Sequence, residues 1–193
     1  EAEIVMDEGN AIDGAIKSDS SGIMHNKFCV RDNKVITGSL NPTENGERRN
    51  DNNVLLIESE TIATNYRNYH AYLINRTGFV RKNHVAFNGT YMYNYFCPMD
   101  HCEDKVDFFL SEARESVYFM IFSFTSDRIA NRLIMKRYEG IDVRGVMEST
   151  QIARYSVYDK LKRHNIAVVR DDNPNMMHHK VFIIDDKTII TGS

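Results

Sequence analysis

The sequence predicts an α/β protein in which a mixed, largely parallel sheet has helices on both faces and is divided into two pseudo-symmetric halves. The first observation is a repeat. A His-x-Lys-x4-Asp pattern followed by Gly-Ser occurs in residues 25–39 and again in residues 178–193. The second is the order of the other patterns, because short apolar runs alternate with helical periodicities. A repeat at this separation is too long for a solenoid and indicates two similar half-domains.

The first half is predicted to comprise residues 1–76. Residues 77–84 are polar and basic and are predicted to form a linker. Ser59 is a suitable N-cap for a helix, and apolar or tyrosine side chains then recur at the spacing of a buried face. Residues 8–22 and 41–53 are rich in turn-forming residues and predict loops. The predicted strands are 1–7, 28–30, 35–39 and 54–57, and the buried stripe of the helix is Ile62, Tyr66, Tyr69 and Leu73.

The second half is predicted to comprise residues 85–193. It begins with aromatic strands around the turn signal Asn88-Gly89. A strand–helix alternation follows, which implies right-handed crossovers between parallel strands. The expected elements are a helix near 106–113, a strand at 117–124, a helix from Ser126 to Gly140, a strand at 141–147, a helix at 150–164, a strand at 166–169 and the second motif.

The residue types of the two motifs are suited to phosphoryl chemistry. Because side chains alternate along a strand, His25 and Lys27 share one face, as do His178 and Lys180. One imidazole can attack as a nucleophile while the other protonates the leaving oxygen. Two ammonium groups can hold the non-bridging oxygens of a phosphoryl group, and this chemistry requires no metal or other cofactor. His179 projects to the opposite face.

These motifs resemble those of the phospholipase D superfamily, and Gly38-Ser39-Leu40-Asn41 with the later residues 50–53 resembles the family pattern after its first motif. Similarity is greatest to the small bacterial, archaeal and mitochondrial members, which include nucleases and lipid hydrolases. The resemblance implies an α/β/α sandwich and metal-independent phosphodiester cleavage through a phosphohistidine. It assigns the nucleophile to His25 and the acid to His178. It also places Asn52 where a residue, often an acid, orients a catalytic histidine.

The expected site residues fall into two groups. Asp32 and Asp185 belong to the catalytic motifs and are expected to fix their own strands instead of touching the substrate. The predicted catalytic set is His25, Lys27, Asp32, His178, Lys180 and Asp185. The predicted substrate-binding set is Ser39, Asn41, Asn52 and Ser193.

Several departures from the family pattern predict a fragment or an internally shortened copy, incomplete at both ends. Met6 and His25 are 19 positions apart, whereas the corresponding Met147 and His178 are 31 apart, so a helix and a strand are expected to be missing from the first half. The second copy stops at Ser193. Two alternatives follow: a hydrolase acting on phospholipid or nucleic acid, or a catalytically incomplete phosphate- or nucleic-acid-binding module that needs a partner chain. A homodimer could supply that partner.

Composition sets wider bounds. The net charge of −3 argues mildly against a broad nucleic-acid footprint, and no apolar run is long enough for a membrane span. Cys29 is expected to be a buried thiol in a motif strand, and Cys97 and Cys102 are expected to be thiols in a loop. Such sparse cysteines favour a reducing compartment such as the cytoplasm.

Overall fold

The computed structural model describes residues 2–18 and 22–193, so residue 1 of the first predicted strand and residues 19–21 of the first predicted loop lie outside the described residues. The described chain forms two compact units. The first comprises residues 1–37 and 55–96, and the second comprises residues 38–54 and 97–193. The segment 38–54, which follows the first motif in the sequence, therefore belongs to the unit that contains the second motif. The predicted linker at 77–84 lies within the first unit.

The structure contains twelve strands and five α-helices within the described residues. The strands are β1 (Val5–Asp7), β2 (Ile16–Ser18), β3 (Phe28–Arg31), β4 (Lys34–Gly38), β5 (Val54–Glu58), β6 (His84–Phe87), β7 (Thr90–Tyr93), β8 (Ser116–Ile121), β9 (Asp142–Met147), β10 (Ala167–Arg170), β11 (Lys180–Ile184) and β12 (Thr188–Thr191). The helices are α1 (Glu44–Arg48), α2 (Glu60–Asn75), α3 (Cys102–Ser111), α4 (Asp127–Tyr138) and α5 (Tyr158–Arg163).

In the first unit, α2 packs on a three-stranded sheet ordered β3-β4-β5. Ser59 caps the helix, because its hydroxyl accepts the amide of Ile62. The helix buries Ile62 against Val35 and Ile57 of the sheet. Tyr69 is buried as well, which confirms that the tyrosine stripe belongs to the core. Two further pairs complete the unit: β1 with β2 in parallel, and β6 with β7 in the hairpin that the Asn-Gly turn predicted.

The second unit is built on a five-stranded sheet ordered β10-β9-β8-β11-β12. Strands β8, β9 and β10 are parallel, whereas β11 is antiparallel to both of its neighbours. Helices α3 and α4 contribute Leu110 and Leu133 to a core that includes Phe119 and Phe182 of the sheet. A mixed α/β fold with the motif strand β11 inside the sheet is thus confirmed for this unit.

The predicted helix at 150–164 is wrong over most of its length. A 3-10 turn occupies Ser149–Gln151, and only α5 is helical after it. The amide of Val157 donates to the distant carbonyl of Phe124, which is a tertiary contact, and the amide of Ser156 donates to the carbonyl of Ala153 in a local turn. These bonds take backbone donors away from a helical ladder. The predicted loops also contain short elements, namely β2 and α1.

The cysteine predictions need two corrections. Cys97 and Cys102 form a disulfide, with their Cα atoms 5.8 Å apart, and are not free thiols. The prediction of a reducing compartment rested on free cysteines, so the disulfide removes its support. Cys29 is exposed instead of buried, because it pairs with the exposed Ile36 on the face of the sheet away from α2. In the described parts of the chain, no helix combines the length and apolar character needed to cross a bilayer.

Candidate active site

The second motif places a buried imidazole just before β11. His178 is only 3% exposed, and its Nδ1 lies 2.9 Å from the carbonyl oxygen of Ser39. Since a carbonyl only accepts, Nδ1 carries the proton of this bond. The Phe122 ring packs against the imidazole in an edge-type contact, with the ring centroids 4.7 Å apart. The ring is therefore held in one orientation, with Nε2 as the nitrogen at which attack or proton transfer can take place.

The lysine of the second motif folds back on the same segment. Lys180 Nζ donates to the carbonyl oxygen of His178 at 2.9 Å and lies 4.8 Å from the centroid of the Phe122 ring. The carbonyl bond and the cation–π contact hold the ammonium against the His178 backbone and the Phe122 ring, which also packs on the imidazole. That the two side chains share one face stays a prediction.

The segment after β4 supplies the carbonyl that orients His178. The amide of Ser39 donates to the carbonyl of Asn53 at 3.0 Å, and the Ser39 hydroxyl donates to Asn53 Oδ1 at 3.0 Å. Gly38 makes this approach possible, because a Cβ at that position would lie 2.2 Å from the carbonyl oxygen of Asn53. Ser39 is fully buried, so its hydroxyl holds the loop while its carbonyl reaches the imidazole.

The same segment is attached to the chain that enters the second motif. The amide of Asp51 donates to the carbonyl of Met176 at 2.9 Å, and the amide of His178 donates to the carbonyl of Asp51 at 2.8 Å. The backbone at His178 is thereby fixed by a parallel bridge between residues 51 and 177.

The first motif lies in the first unit and repeats one part of this geometry. Lys27 Nζ donates to the carbonyl oxygen of His25 at 2.7 Å, as Lys180 does to His178. Burial lowers the pKa of Lys27 to about 8. The carbonyl of Lys27 accepts the hydroxyl of Thr37 at 3.0 Å, which ties the motif to β4.

A family model described as "Cardiolipin synthase, PLD-like domain" matches residues 3–74 and 108–193, which is most of the chain. The chain belongs to the phospholipase D superfamily. It is 31% identical over 99 residues to a phospholipase D of Rickettsia bellii, covering 51% of this chain and 49% of that protein. It is also 31% identical over 101 residues to human mitochondrial cardiolipin hydrolase, covering 50% of this chain and 40% of that protein.

The chain spans about half the length, or less, of these curated relatives. Among solved structures, phosphatidylserine synthase from Haemophilus influenzae aligns with a TM-score of 0.60 at 10% identity, over 86% of this chain and 53% of that one. This similarity concerns the fold alone.

The aspartates of the two phospholipase D motifs lie in different surroundings. Asp185 accepts the amides of the three residues that lead into β8 at 2.8–2.9 Å. Burial alone raises its pKa, but the bonds from the Ser116, Glu115 and Arg114 amides outweigh burial, and the pKa is lowered. The carboxylate of Asp32 is 84% exposed, and within the described residues its ion pair is with the guanidinium of Arg31, at 3.7 Å. Asp185 thus joins two strands of its sheet.

The remaining predicted site residues are Asn52, Asn41 and Ser193. Asn52 donates from Nδ2 to the carbonyls of Gly46 and Asn50 at 2.7 and 2.9 Å, so its amide organises its own loop. Asn41 accepts the amide of Thr43 through its carbonyl. Ser193 follows β12 as Ser39 follows β4.

Two neighbours of the second motif were not predicted from the sequence. Asn53 holds the Ser39 loop, and its Oδ1 also lies 3.4 Å from Nδ1 of His179. Burial lowers the pKa of His179, which lines a pocket of 670 Å³ together with Asp51 and Met177. The second neighbour is Glu148, whose similarity in sequence position to Asp7 was the available signal.

Proposed function

We propose that the chain hydrolyses phosphodiesters through a phosphohistidine, using its two His-x-Lys pairs. The main support is the orientation of His178: a buried imidazole whose Nδ1–H is held by a backbone carbonyl and whose lysine neighbour is fixed beside it. This arrangement presents Nε2 and an ammonium to a phosphoryl group. The first unit contains a second pair, His25 and Lys27, with the same lysine-to-histidine bond.

The reaction has two displacement steps. Nε2 of one histidine attacks phosphorus, an N–P bond forms, and the P–O bond to the alcohol breaks while the other histidine gives its proton to that oxygen. The second histidine, now neutral, takes a proton from water, whose oxygen attacks phosphorus and breaks the N–P bond. By resemblance, His25 is assigned the nucleophilic role and His178 the acid and base roles.

We favour a phospholipid as the substrate. The relatives named phospholipase D and cardiolipin hydrolase act on lipids according to their names. The net charge of −3 also makes a broad phosphate-backbone footprint less favourable.

The substrate test compares vesicles of cardiolipin or phosphatidylcholine with single-stranded DNA, all in the presence of a chelator. Phospholipid cleavage that persists in the chelator, with no cleavage of DNA, is the expected result. Cleavage of DNA that falls steeply as salt rises would instead identify a nuclease, because counterion release makes such binding salt-dependent.

The roles of the histidines are tested by acid quenching with a phosphorus-labelled substrate. Label should be trapped on the wild-type chain and on His178→Asn, but not on His25→Asn. Label retained by His25→Asn and lost from His178→Asn would reverse the two roles.

A second candidate is a module that binds phosphate and turns over only with a partner chain. It is favoured by the smaller sheet of the first unit, which has three strands against five in the second, and by the exposed position of Asp32. In that case specific activity should rise with protein concentration together with a dimer in size-exclusion chromatography. Activity of a monomer that is independent of concentration would contradict it.

A further inference from the structure

A buried carboxylate lies directly behind the second motif. Glu148 follows β9 and is only 1% exposed. Its Oε2 accepts the amide of Met177, the residue before His178, at 2.7 Å. Its Oε1 accepts the amide and the hydroxyl of Thr150 at 2.9 and 2.7 Å. One carboxylate thus joins the end of a parallel strand to the entry of the motif.

The first unit contains the same arrangement at the equivalent positions. Asp7 ends β1, and its Oδ2 accepts the amide of Met24, the residue before His25, at 2.9 Å. Its Oδ1 lies 3.2 Å from the amide of Gly9. In both units, therefore, one oxygen binds the amide two residues after the acid and the other binds the amide just before the motif histidine.

Two independent backbone bonds consequently fix the chain at His178. Glu148 holds the preceding amide, and the carbonyl of Asp51 holds the amide of His178 itself. The ring then meets the Ser39 carbonyl at 2.9 Å. A displacement at Met177 moves the Cα of the histidine and hence the bond that sets its tautomer.

We propose that Glu148 is a positioning residue for His178, and that Asp7 has the same role for His25. The kinetic part of this inference rests on the proposed function. The carboxylate itself matters, because three donors converge on two oxygens and an amide side chain offers only one acceptor oxygen. No lysine or arginine of the described chain forms a salt bridge with Glu148, so N–H and O–H donors stabilise its charge.

The pKa of Glu148 is shifted toward the charged form. Burial alone raises the pKa, but the hydrogen bonds from Thr150 and Met177 outweigh burial and lower it below its usual value. The site is therefore built to accept and not to donate hydrogen bonds at neutral pH.

A competing explanation is that Glu148 only caps the 3-10 turn at Ser149–Gln151 and has no effect on the histidine. The two explanations differ in what happens to the His178 ring. A cap would change stability alone, whereas a positioning residue also changes the tautomer of His178 and the catalytic rate constant.

The test compares Glu148→Gln with the matched control Glu112→Gln, which alters an exposed glutamate of the same unit at the end of α3. Nitrogen-15 NMR of the imidazoles measures the His178 tautomer in the full chain without substrate. Kinetics on the phosphodiester cleaved by the wild type measure kcat and KM. For Glu148→Gln we expect a mixed tautomer population and a kcat lowered roughly 10- to 100-fold with little change in KM, as for a small misplacement of a catalytic group.

The control should match the wild type in both measurements. An unchanged His178 tautomer in Glu148→Gln, or a kcat within about twofold of the wild type, overturns the inference, since a misplaced catalytic group costs far more. If that variant does not fold, Asp7→Asn provides the same test, and its NMR effect should fall on His25 and leave His178 unchanged. Failure of the proposed function would leave every protein inactive while the NMR shifts persist, so the two failures are distinguishable.

Discussion

Replacing Asp185 by Asn should destabilise the protein far more than the same change at the matching Asp32 of the first motif. The carboxylate of Asp185 accepts three consecutive backbone amides at 2.8–2.9 Å. Asn keeps one acceptor oxygen and turns an NH₂ group toward the amide of Arg114. Asp185→Asn therefore loses one charge-assisted hydrogen bond and the negative charge of the carboxylate, which should lower the free energy of unfolding by about 2 kcal/mol.

The turn itself does not confound this comparison. Asp185 and Asp32 both have φ of 53°, a left-handed conformation that Asn adopts readily. Asp32→Asn removes only an exposed contact with Arg31, so we expect a change below about 0.5 kcal/mol. For a chain of this length, a loss of about 2 kcal/mol in Asp185→Asn corresponds to a lowering of its Tm by about 4–8 °C.

Thermal and urea unfolding followed by circular dichroism measure these changes, and the pH dependence adds a further check. The pKa of Asp185 is lowered in the folded state, so its stabilisation is present above the unfolded pKa of about 3.9 and is lost as pH falls through the folded pKa. The gap between the wild type and Asp185→Asn should therefore close in acid. Equal losses in the two variants, or a gap that is unchanged at the lowest pH, would refute this reasoning.

Three further predictions concern single side chains. Because burial lowers the pKa of Lys27 to about 8, kcat/KM should fall as pH rises through that value, and Lys27→Arg should extend the active range to higher pH, as a pH–rate profile would show. Gly38→Ala should cost at least about 2 kcal/mol in urea unfolding, because its φ is 139° and the new Cβ would meet the Asn53 carbonyl. Gly89→Ala, with φ of 78° and no neighbouring atom within 4 Å, should cost less. Ser59→Ala should remove the N-cap of α2 and lower stability by about 1 kcal/mol in the same assay, and no change would contradict that role.

Elements with strong local signals were predictable from the sequence. The helix α2 has a cap at Ser59 and a stripe at helical spacing, and the β6–β7 hairpin has an Asn-Gly turn. The helix predicted at 150–164 failed because a distant carbonyl, that of Phe124, takes the amide of Val157. Competition of this kind depends on which segments become neighbours and leaves no trace in the local pattern.

The site divides in a similar way. The motif histidines and lysines were identified from spacing, since an imidazole and an ammonium two residues apart are informative by their chemistry alone. Two other groups were not identified from the sequence: the carbonyl of Ser39, which orients His178, and the side chain of Asn53, which holds the loop. Backbone groups are the same at every residue, so a sequence cannot indicate which of them will approach the ring of a motif histidine.

By itself, the sequence determined the family and the mixed α/β class and predicted the two His-x-Lys pairs, because these depend on residue identity and short-range periodicity. Only the tertiary structure decided that residues 38–54 join the unit of the second motif and that Asp185, but not Asp32, holds a row of amides. Both outcomes depend on hydrogen bonds between segments far apart in the chain, whose partners are set by packing and not by local preference.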